Sequence, residues 1–405
     1  MKIGLIAYPT VPNFGANLQI LSTLEYYRKR NIDIEIINWL PYALEKTYSG
    51  YVPAEQHNAH KDFWDKYYTI SEVCRTSEDV AKLIEKENIT AVIVGSDAVA
   101  QHHPFLTRII FPCRRIIVFP KYSDDRMFPN VFWGDFEKYL KKEIPLAVLS
   151  ASSQNAPYKS FERDVKRQMK DSVKKYKYLS VRDKWTQNLY SYVTDGEIVP
   201  PITPDPVFAF NYNVDFVPSK EEILKKYNLP EKYIIVAFYN KIKVKDEWMK
   251  KFVEIVHSHN YKTVALPFPN KLLFENLTDY KVELPLDPLD WYAIIKYAAG
   301  YVGHNMHPIV ICLHNSVPFY SFDNYGIQYL RLFYNKKSSK IYDILKRSGF
   351  ENYRCNATLS TTKNISPENV FNRLKEFDRE KCSNFASSYY ASYDSMMSDI
   401  TNLIS

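Results

Sequence analysis

The strongest constraint on the fold of this chain is a repeated alternation of short apolar runs with amphipathic helical segments. Near the N-terminus, the run KIGLIAY precedes a turn-rich loop, the helical segment LQILSTLEYYRKR and the isoleucine-rich run IDIEIINW. A strand, a helix and a strand in this order predict a βαβ unit, from which parallel sheets are built. The alternation continues through ITAVIVGSD, IPLAVLSAS and KYLSVRD, each next to a helical pattern. The first half of the chain therefore predicts one parallel sheet covered by helices.

A proline-rich segment, PPITPDPVF at 200–208, separates this series from a second one of the same kind. A chain of 405 residues exceeds the size at which a single core stops growing. We predict an N-terminal Rossmann-like domain at 1–207 and a C-terminal one at 208–384, with a helical tail at about 385–405 that crosses back to the first domain. The predicted fold class is α/β, with two doubly wound domains facing a cleft in a GT-B-like arrangement.

Composition excludes several other classes of protein. The net charge of +7 is spread along the chain, without the clustering that a nucleic-acid-binding surface needs. It leaves small anions or an acidic membrane surface as partners. The five cysteines are odd in number and lack CxxC spacing, which favours reduced thiols over a zinc ribbon. Without a long apolar run or a signal-peptide pattern, we expect a cytoplasmic protein.

The loops after the strands are where an open α/β sheet binds its ligands. Several of the ten glycines lie there, including Gly15, Gly95 and Gly303. The chain contains neither GxGxxG nor GxxxxGK[ST], the usual glycine cradles for dinucleotides and nucleoside triphosphates. This favours an anionic donor that is not a nucleotide.

The segment GHNMHPIVICLHNSVPF, 303–319, contains three histidines in an otherwise apolar run. At helical spacing His304, His307 and His314 share one face, where they could bind a metal, transfer protons or pack in the interior. The three-residue spacing of the first pair and the lack of Asp or Glu argue against a metal. For His304 and His314 we expect buried, hydrogen-bonded roles.

Five motifs in order, NFGANLQ, VGSD, SVRD, PDPVF and the histidine segment, resemble the polysaccharide pyruvyl transferase family. The resemblance implies a GT-B-like fold and transfer of pyruvate from phosphoenolpyruvate onto a sugar as a cyclic ketal. The sugar usually belongs to a lipid-linked or growing surface polysaccharide. The chain departs from the family at 98–100, where AVA replaces Gln, Val and Trp, and at Asn305, where relatives often carry Arg or Ser.

The chemistry and the resemblance together assign roles to single residues. Arg182 suits an anionic donor because a guanidinium grips a carboxylate or phosphate with two hydrogen bonds. His307 corresponds to the family's histidine at the start of a helix, as a clamp or a general acid. The alternatives without a role in the reaction are a surface ion pair of Arg182 with Asp183 and a buried His307 that is hydrogen-bonded to the backbone. We predict His307 and Asp97 as catalytic residues, and Arg182, Asn305 and His307 as donor-binding residues.

The acceptor side is predicted to come from the first domain. Gly15, Asn17 and Gln19 are the expected contacts to acceptor hydroxyls, and Asp97 is the group that takes a proton from one of them. For Asp97 the alternative is a helix cap. Asp205, between two prolines, is expected to stabilise a turn at the domain boundary. The segment 98–135 is predicted to line the acceptor side, and its aromatic residues either stack on sugars or pack in the core: Phe105, Phe111, Phe119, Tyr122, Phe128, Phe132 and Trp133.

The sequence thus predicts a pyruvyl transferase that needs phosphoenolpyruvate as co-substrate and no other cofactor or metal. Its expected partner is a saccharide acceptor, lipid-linked and reached at the inner face of the membrane. One alternative is a GT-B glycosyltransferase that uses a nucleotide sugar. The other is a degenerate, non-catalytic protein of polysaccharide assembly. The oligomeric state is left open.

Overall fold

The protein consists of two Rossmann-like halves, each built on a parallel sheet. Its structure is a computed structural model that describes residues 1–103, 124–239, 244–323, 325–329, 333–357 and 365–405. Within these residues the chain forms two six-stranded sheets and one two-stranded hairpin. The predicted pair of doubly wound domains is confirmed.

The first domain has the strand order β3-β2-β1-β4-β5-β6, with every neighbouring pair parallel. This order reverses between β1 and β4, and ligands bind at such a switch point in doubly wound sheets. The regular elements of this domain are β1 (Lys2–Ile6), α1 (Phe14–Arg28), β2 (Asp33–Trp39), α2 (Tyr42–Tyr48), α3 (Ala54–Tyr67), β3 (Ile70–Cys74), α4 (Ser77–Lys86), β4 (Ala91–Val94), β5 (Leu146–Ala151), α5 (Arg163–Val173), β6 (Tyr178–Val181) and α6 (Lys184–Val193).

The second domain repeats the same arrangement after the proline-rich segment. Its sheet order is β14-β11-β10-β7-β8-β9, so the direction reverses between β7 and β10. Strands β12 and β13 form an antiparallel hairpin beside the sheet. The regular elements are α7 (Phe210–Asn213), α8 (Lys220–Lys226), β7 (Tyr233–Ala237), α9 (Asp246–Ser258), β8 (Lys262–Ala265), β9 (Tyr280–Lys281), α10 (Pro288–Lys296), β10 (Gly300–Gly303), α11 (Met306–Asn315), β11 (Phe319–Asp323), β12 (Ile327–Tyr329), β13 (Phe333–Asn335), α12 (Lys340–Ser348), β14 (Arg354–Asn356), α13 (Pro367–Lys375) and α14 (Arg379–Ile404).

The strands form because their sequences are short apolar runs that both faces of the sheet can bury. All residues of β4, β5, β7 and β10 are buried. Such continuous apolar strands are typical of parallel sheets, which carry helices on both faces. A single apolar core cluster extends from β1 and α1 in the first domain to α10 and α11 in the second.

Helix α14 joins the two halves at the C-terminus. It packs on α11 and also lies against β5 and β6 of the first domain. The Sδ atom of Met396 accepts hydrogen bonds from Ser150 and Ser180 at 3.3 and 3.5 Å. Among the described residues, no helix is both long enough and apolar enough to cross a bilayer.

Loss of packing under α14 should destabilise the protein. Ile400 is fully buried, whereas Leu403 on the same helix is 50% exposed. Ile400→Ala should lower the free energy of unfolding by about 2 to 5 kcal/mol, because a buried aliphatic side chain is replaced by a cavity. Leu403→Ala, the matched control, should change it by less than about 0.5 kcal/mol. Urea denaturation measures both, and equal effects would show that α14 does not anchor the fold.

Candidate active site

A cavity lies between the domains, at the carboxyl ends of the central strands of both sheets. Its lining includes Asp97 after β4, Tyr239 after β7 and Asn305 after β10. The first turns of α1, α11 and α12 also border it, through Gly15, His307 and Lys340. Because a helix N-terminus presents unpaired N–H groups, three such ends around one cavity favour an anionic ligand.

Gly15 and His307 bring the two domains into contact at the floor of this cavity. A Cβ atom built on Gly15 would lie 1.9 Å from His307 Nδ1, so only a glycine leaves space for the imidazole. Beside this contact, Phe14 stacks on Trp291 of α10 with ring centroids 5.1 Å apart. The first turn of α1 therefore receives the histidine of the second domain.

The turn from β10 into α11 has a strained backbone that orients His307. A Cβ on Gly303 would lie 2.0 Å from the carbonyl oxygen of Ala237, so this position requires glycine. Asn305 follows with φ 73° and ψ 160°, a region that side-chain-bearing residues seldom adopt and that is typical of functional sites. Helix α11 begins only at Met306.

Because of this turn, the expectation that three histidines share one helix face is wrong. His304 lies before the helix, where its Nδ1 accepts a hydrogen bond from the backbone N–H of Tyr239 at 2.9 Å. His314 accepts one from the N–H of Asn211 at 3.2 Å, and burial lowers its pKa to about 3. Only His307 of the three lines the cavity. Within the described ranges, no group of three or more His, Cys, Asp or Glu side chains could hold a metal ion.

The carboxylate of Asp205 connects the parts of this site. Its Oδ2 atom accepts hydrogen bonds from Arg182 Nη1 at 2.8 Å and from Gln19 Nε2 at 2.6 Å, and His307 Nε2 lies 3.8 Å away. Its Oδ1 atom accepts one from the N–H of Val207, which caps the short turn at Pro206–Ala209. The expected turn-stabilising bond is present, but most of the contacts of Asp205 are to the site.

Arg182 lies beneath the cavity wall. Its side chain is 1% exposed and its second guanidinium nitrogen, Nη2, donates to Asp97 Oδ1 at 2.9 Å. Burial would lower the pKa of Arg182, but Asp97 and Asp205 overcome this and raise it. The surface pair with Asp183 is not formed, because Asp183 is buried, caps α6 and accepts a hydrogen bond from Ser152. Two carboxylates occupy the Nη1 and Nη2 atoms of its guanidinium. A contact of Arg182 with the donor stays a prediction.

Asp97 borders the cavity with its backbone at φ 90°. Burial would raise the pKa of its carboxyl, but Arg182, Lys340 and His307 outweigh this and lower the pKa to about 2. A carboxylate this acidic is ionised at neutral pH and is a weak general base. Its carboxylate places a negative charge beside the cavity, and its role as the group that takes a proton from the acceptor stays a prediction.

His307 combines burial with a free ring nitrogen. Burial lowers the pKa of its imidazole, and the nearby carboxylates of Asp205 and Asp97 oppose this only in part. Its Nε2 atom is buried and makes no hydrogen bond to the described residues. A buried polar atom without a partner is costly, so this nitrogen is poised for a ligand or for Asp205.

Lys340 is a residue of this cavity that the sequence analysis did not identify. It is 5% exposed, and its ammonium lies 4.6 Å from the centre of the Tyr325 ring. Burial and the neighbouring Arg182 lower the pKa of Lys340 to about 8. No sequence signal distinguishes it, because it is one of 53 Lys and Arg residues and follows an ordinary Ser cap.

Of the three residues predicted to contact the acceptor, one lines the cavity and two do not. Gly15 borders the cavity, but Asn17 is buried against His60 at 2.8 Å, and Gln19 binds Asp205. From the segment 98–135, Ala98, Gln101, Asp125 and Arg126 line the cavity, and the following aromatics are core residues: Phe128, Phe132 and Trp133. Four of the aromatics named for this segment lie outside the described residues: Phe105, Phe111, Phe119 and Tyr122.

The buried ion-pair cluster predicts a large cost for removing Arg182. Arg182→Met would leave the carboxylates of Asp97 and Asp205 without their cation, which costs about 3 to 5 kcal/mol for a buried pair. Arg167→Met removes an arginine whose side chain is 71% exposed and should cost less than about 1 kcal/mol. Equal unfolding midpoints for the two folded variants in urea would contradict the cluster.

The close contact between Gly15 of α1 and His307 of α11 predicts that a methyl group added at Gly15 displaces the imidazole. Gly15→Ala should push the His307 ring from its position and destabilise the protein by about 1 to 3 kcal/mol. Gly300→Ala is the control, since the nearest atom to its methyl would be the end of the Leu374 side chain at 3.3 Å, and the next two atoms lie at 3.6 and 3.7 Å. The histidine ring resonances in NMR spectra report the displacement. An unmoved His307 signal in Gly15→Ala would refute it.

The fold resembles that of several solved structures. The UDP-GlcNAc 2-epimerase from Methanocaldococcus jannaschii has a TM-score of 0.53 at 12% identity, covering 96% of this chain and 100% of that chain. A protein assigned as a UDP-N-acetylglucosamine 2-epimerase from Listeria monocytogenes has a TM-score of 0.52 at 10% identity, covering 95% and 90%. At these identities the likeness shows the fold alone, and it confirms the GT-B-like class.

Sequence comparison identifies the family. No curated protein sequence matches the chain. The family model described as polysaccharide pyruvyl transferase matches residues 13–325, a span that includes Gly15, Asp97, Arg182, Asp205 and His307. Because the match covers most of the chain and contains the residues that meet in the cleft, this protein belongs to the polysaccharide pyruvyl transferase family.

Proposed function

We propose that this protein transfers the pyruvyl group of phosphoenolpyruvate to a saccharide and forms a cyclic ketal with release of phosphate. Family membership supports the reaction class. The observation that carries the proposal for the donor is the convergence of three helix N-termini and His307 on one cavity. A small, highly charged anion is the ligand that such a cavity favours.

The reaction needs two hydroxyls of one sugar and no other reactant. The first hydroxyl oxygen bonds to C2 of the donor while the methylene carbon gains a proton. The second hydroxyl oxygen then displaces phosphate from C2 and closes the ring. The first hydroxyl loses a proton while the methylene carbon gains one. The proton of the second hydroxyl leaves with the phosphate.

His307 is proposed as the group that holds the donor and supplies a proton. Its pKa is lowered in the free protein, so the imidazole is mostly neutral at pH 7. A phosphate beside it would raise the pKa, because a nearby negative charge favours the imidazolium. The cation formed on donor binding is then the general acid for the methylene carbon or the departing phosphate.

The acceptor is proposed to bind against the tyrosines that line the cavity. Tyr48 and Tyr51 line it from the first domain and Tyr239 from the second, and the last two are more than one-third exposed. Tyrosine offers an apolar ring for a sugar face and a hydroxyl for its polar edge. We propose a saccharide of a surface polysaccharide or its lipid-linked precursor, modified in the cytoplasm at the inner membrane face.

The proposal predicts phosphate release that depends on both substrates. The protein should liberate one phosphate from phosphoenolpyruvate per ketal formed, and mass spectrometry of the saccharide should show the added pyruvate. Phosphoenolpyruvate at one hundred times its Kd should stabilise the fold by about 2.7 kcal/mol in thermal unfolding. UDP-sugars serve as the control ligands. Protection and turnover with a UDP-sugar instead would identify a glycosyltransferase, and saccharide binding without turnover would identify a non-catalytic protein.

His307→Asn should reduce turnover by about a hundredfold to ten-thousandfold, the usual contribution of a positioned acid or base. The control is His259→Asn, which changes an exposed histidine of the same domain and should leave turnover unchanged. Phosphate release at saturating substrates measures both variants, with circular dichroism to confirm folding. Wild-type turnover in His307→Asn would exclude the imidazole from the reaction.

A further inference from the structure

We propose that Lys340 is a ligand for an anionic group of the donor. This inference rests on the proposed function and adds a residue to its site. Lys340 lies beyond the span 13–325 that the family model matches. Its ammonium group borders the same cavity as His307 and the first turn of α1.

The first argument is burial without a counterion. Lys340 is 5% exposed, yet among the described residues it forms no ion pair within 4.0 Å. The carboxylates in its surroundings are those of Asp97, Asp183 and Asp205. Arg182 holds the first and last of these, and Ser152 and Thr186 bind Asp183. A buried, unpaired charge is costly, and lysines are seldom buried without a partner.

The second argument is the position of Lys340 at the first residue of α12. A helix N-terminus carries partial positive charge, so acidic side chains are favoured there and a lysine is disfavoured. Residues that break such a local rule are expected at functional sites. An anion between the ammonium and the helix end would be attracted by both.

The third argument is the set of contacts that holds the lysine in place. Ser339 Oγ accepts a hydrogen bond from the N–H of Tyr342 at 3.2 Å and donates one to Asp323 Oδ2 at 2.6 Å. Asp323 is fully buried, binds Arg354 at 2.8 Å and accepts from the N–H of Tyr325 at 2.9 Å. The ring of Tyr325 in turn lies beside the ammonium. These bonds fix both the helix end and the aromatic surface, so the ammonium is directed at the cavity.

The titration of Lys340 makes the proposal measurable. Burial and Arg182 lower its pKa to about 8, so the charge is present below this pH and is lost as the pH rises through it. A bound anion favours the ammonium and should raise the pKa. Donor binding at about pH 9 should therefore take up a proton and weaken as the pH increases.

Three groups around the ammonium, Asp97, Arg182 and Tyr325, keep their charge between about pH 7 and pH 9. The pKa of Asp97 is lowered to about 2, and Arg182 stays protonated, with a raised pKa. The pKa of His307 is lowered by burial, and that of Tyr325 is raised by burial. In the proposed function donor binding also protonates His307. The proton uptake that reports Lys340 is therefore the part that Lys340→Met removes and His307→Asn leaves.

Isothermal titration calorimetry with phosphoenolpyruvate tests the proposal on the full chain. Two buffers of different ionisation enthalpy at about pH 9 measure the proton uptake. Lys340→Met should weaken binding about tenfold to a hundredfold near pH 7 and lower the proton uptake at about pH 9, leaving the part that belongs to His307. Lys340→Arg should retain binding and lose its decline above about pH 8, because the guanidinium stays charged. Lys346→Met, an exposed lysine of the same helix, is the matched control and should bind like the wild type.

Stability separates a ligand role from a structural one. Lys340→Met removes a buried charge and keeps the length of the side chain, so the free protein should unfold at the same or a higher temperature. A lower unfolding temperature would indicate a structural lysine and contradict the proposal. Titrations with inorganic phosphate and with pyruvate show which end of the donor Lys340 binds. Lys340→Met should lose affinity for the compound that corresponds to that end.

The two proposals fail in different ways. Wild-type affinity and proton uptake in Lys340→Met would overturn the role of Lys340 and leave the proposed function intact. An absence of phosphoenolpyruvate binding by the wild-type protein would overturn the proposed function and the role of Lys340 with it.

Discussion

The buried carboxylate of Asp205 is the interaction on which the cleft depends. It lies in the segment between the domains and binds Arg182 from the end of β6, Gln19 from α1 and the turn that follows it. His307 from the second domain lies within 3.8 Å of the same oxygen. Asp205 thus fixes the linker to the strand and helix ends of the first domain and places its charge next to the histidine of the second. A buried charge can do this only when its partners are all in place.

Charge balance in this cluster explains which cations are available to a ligand. Arg182 is held by Asp97 and Asp205, so its charge is neutralised inside the protein. Lys340 and His307 border the cavity without such a hydrogen-bonded carboxylate among the described residues. The low pKa of Asp97 follows from the same cluster, and it leaves a negative charge next to the space where a donor would lie. That charge would repel a wrongly placed anion and so help to orient the donor toward the helix ends.

The sequence predicted the fold well and the site only in part, for physical reasons. Apolar runs and helical periodicity are local properties, and they identified five of the six strands of the first sheet. The edge strand β3 was missed, because its sequence is not an apolar run. Gly15 and Gly303 were recognised by their place after strands, although their actual task is to make room for His307 and for a carbonyl oxygen. The pairing of Arg182 with Asp97 and Asp205 joins residues 85 and 23 positions apart, which no local pattern encodes. His304 left the predicted helix face because the backbone of Asn305 turns before α11 begins.

Asn305 and Lys340 bring different chemistry to the same cavity. Asparagine tolerates a positive φ better than most residues, which suits the turn at 305, and its side chain brings no charge. In the same cavity, Lys340 supplies a buried cation from the first residue of α12. Of these two residues, only Lys340 brings a positive charge. Electrostatic attraction depends on distance and acceptor fit depends on side-chain volume, so under the proposed function Lys340 would act on the donor and Asn305 on the shape of the space beside it.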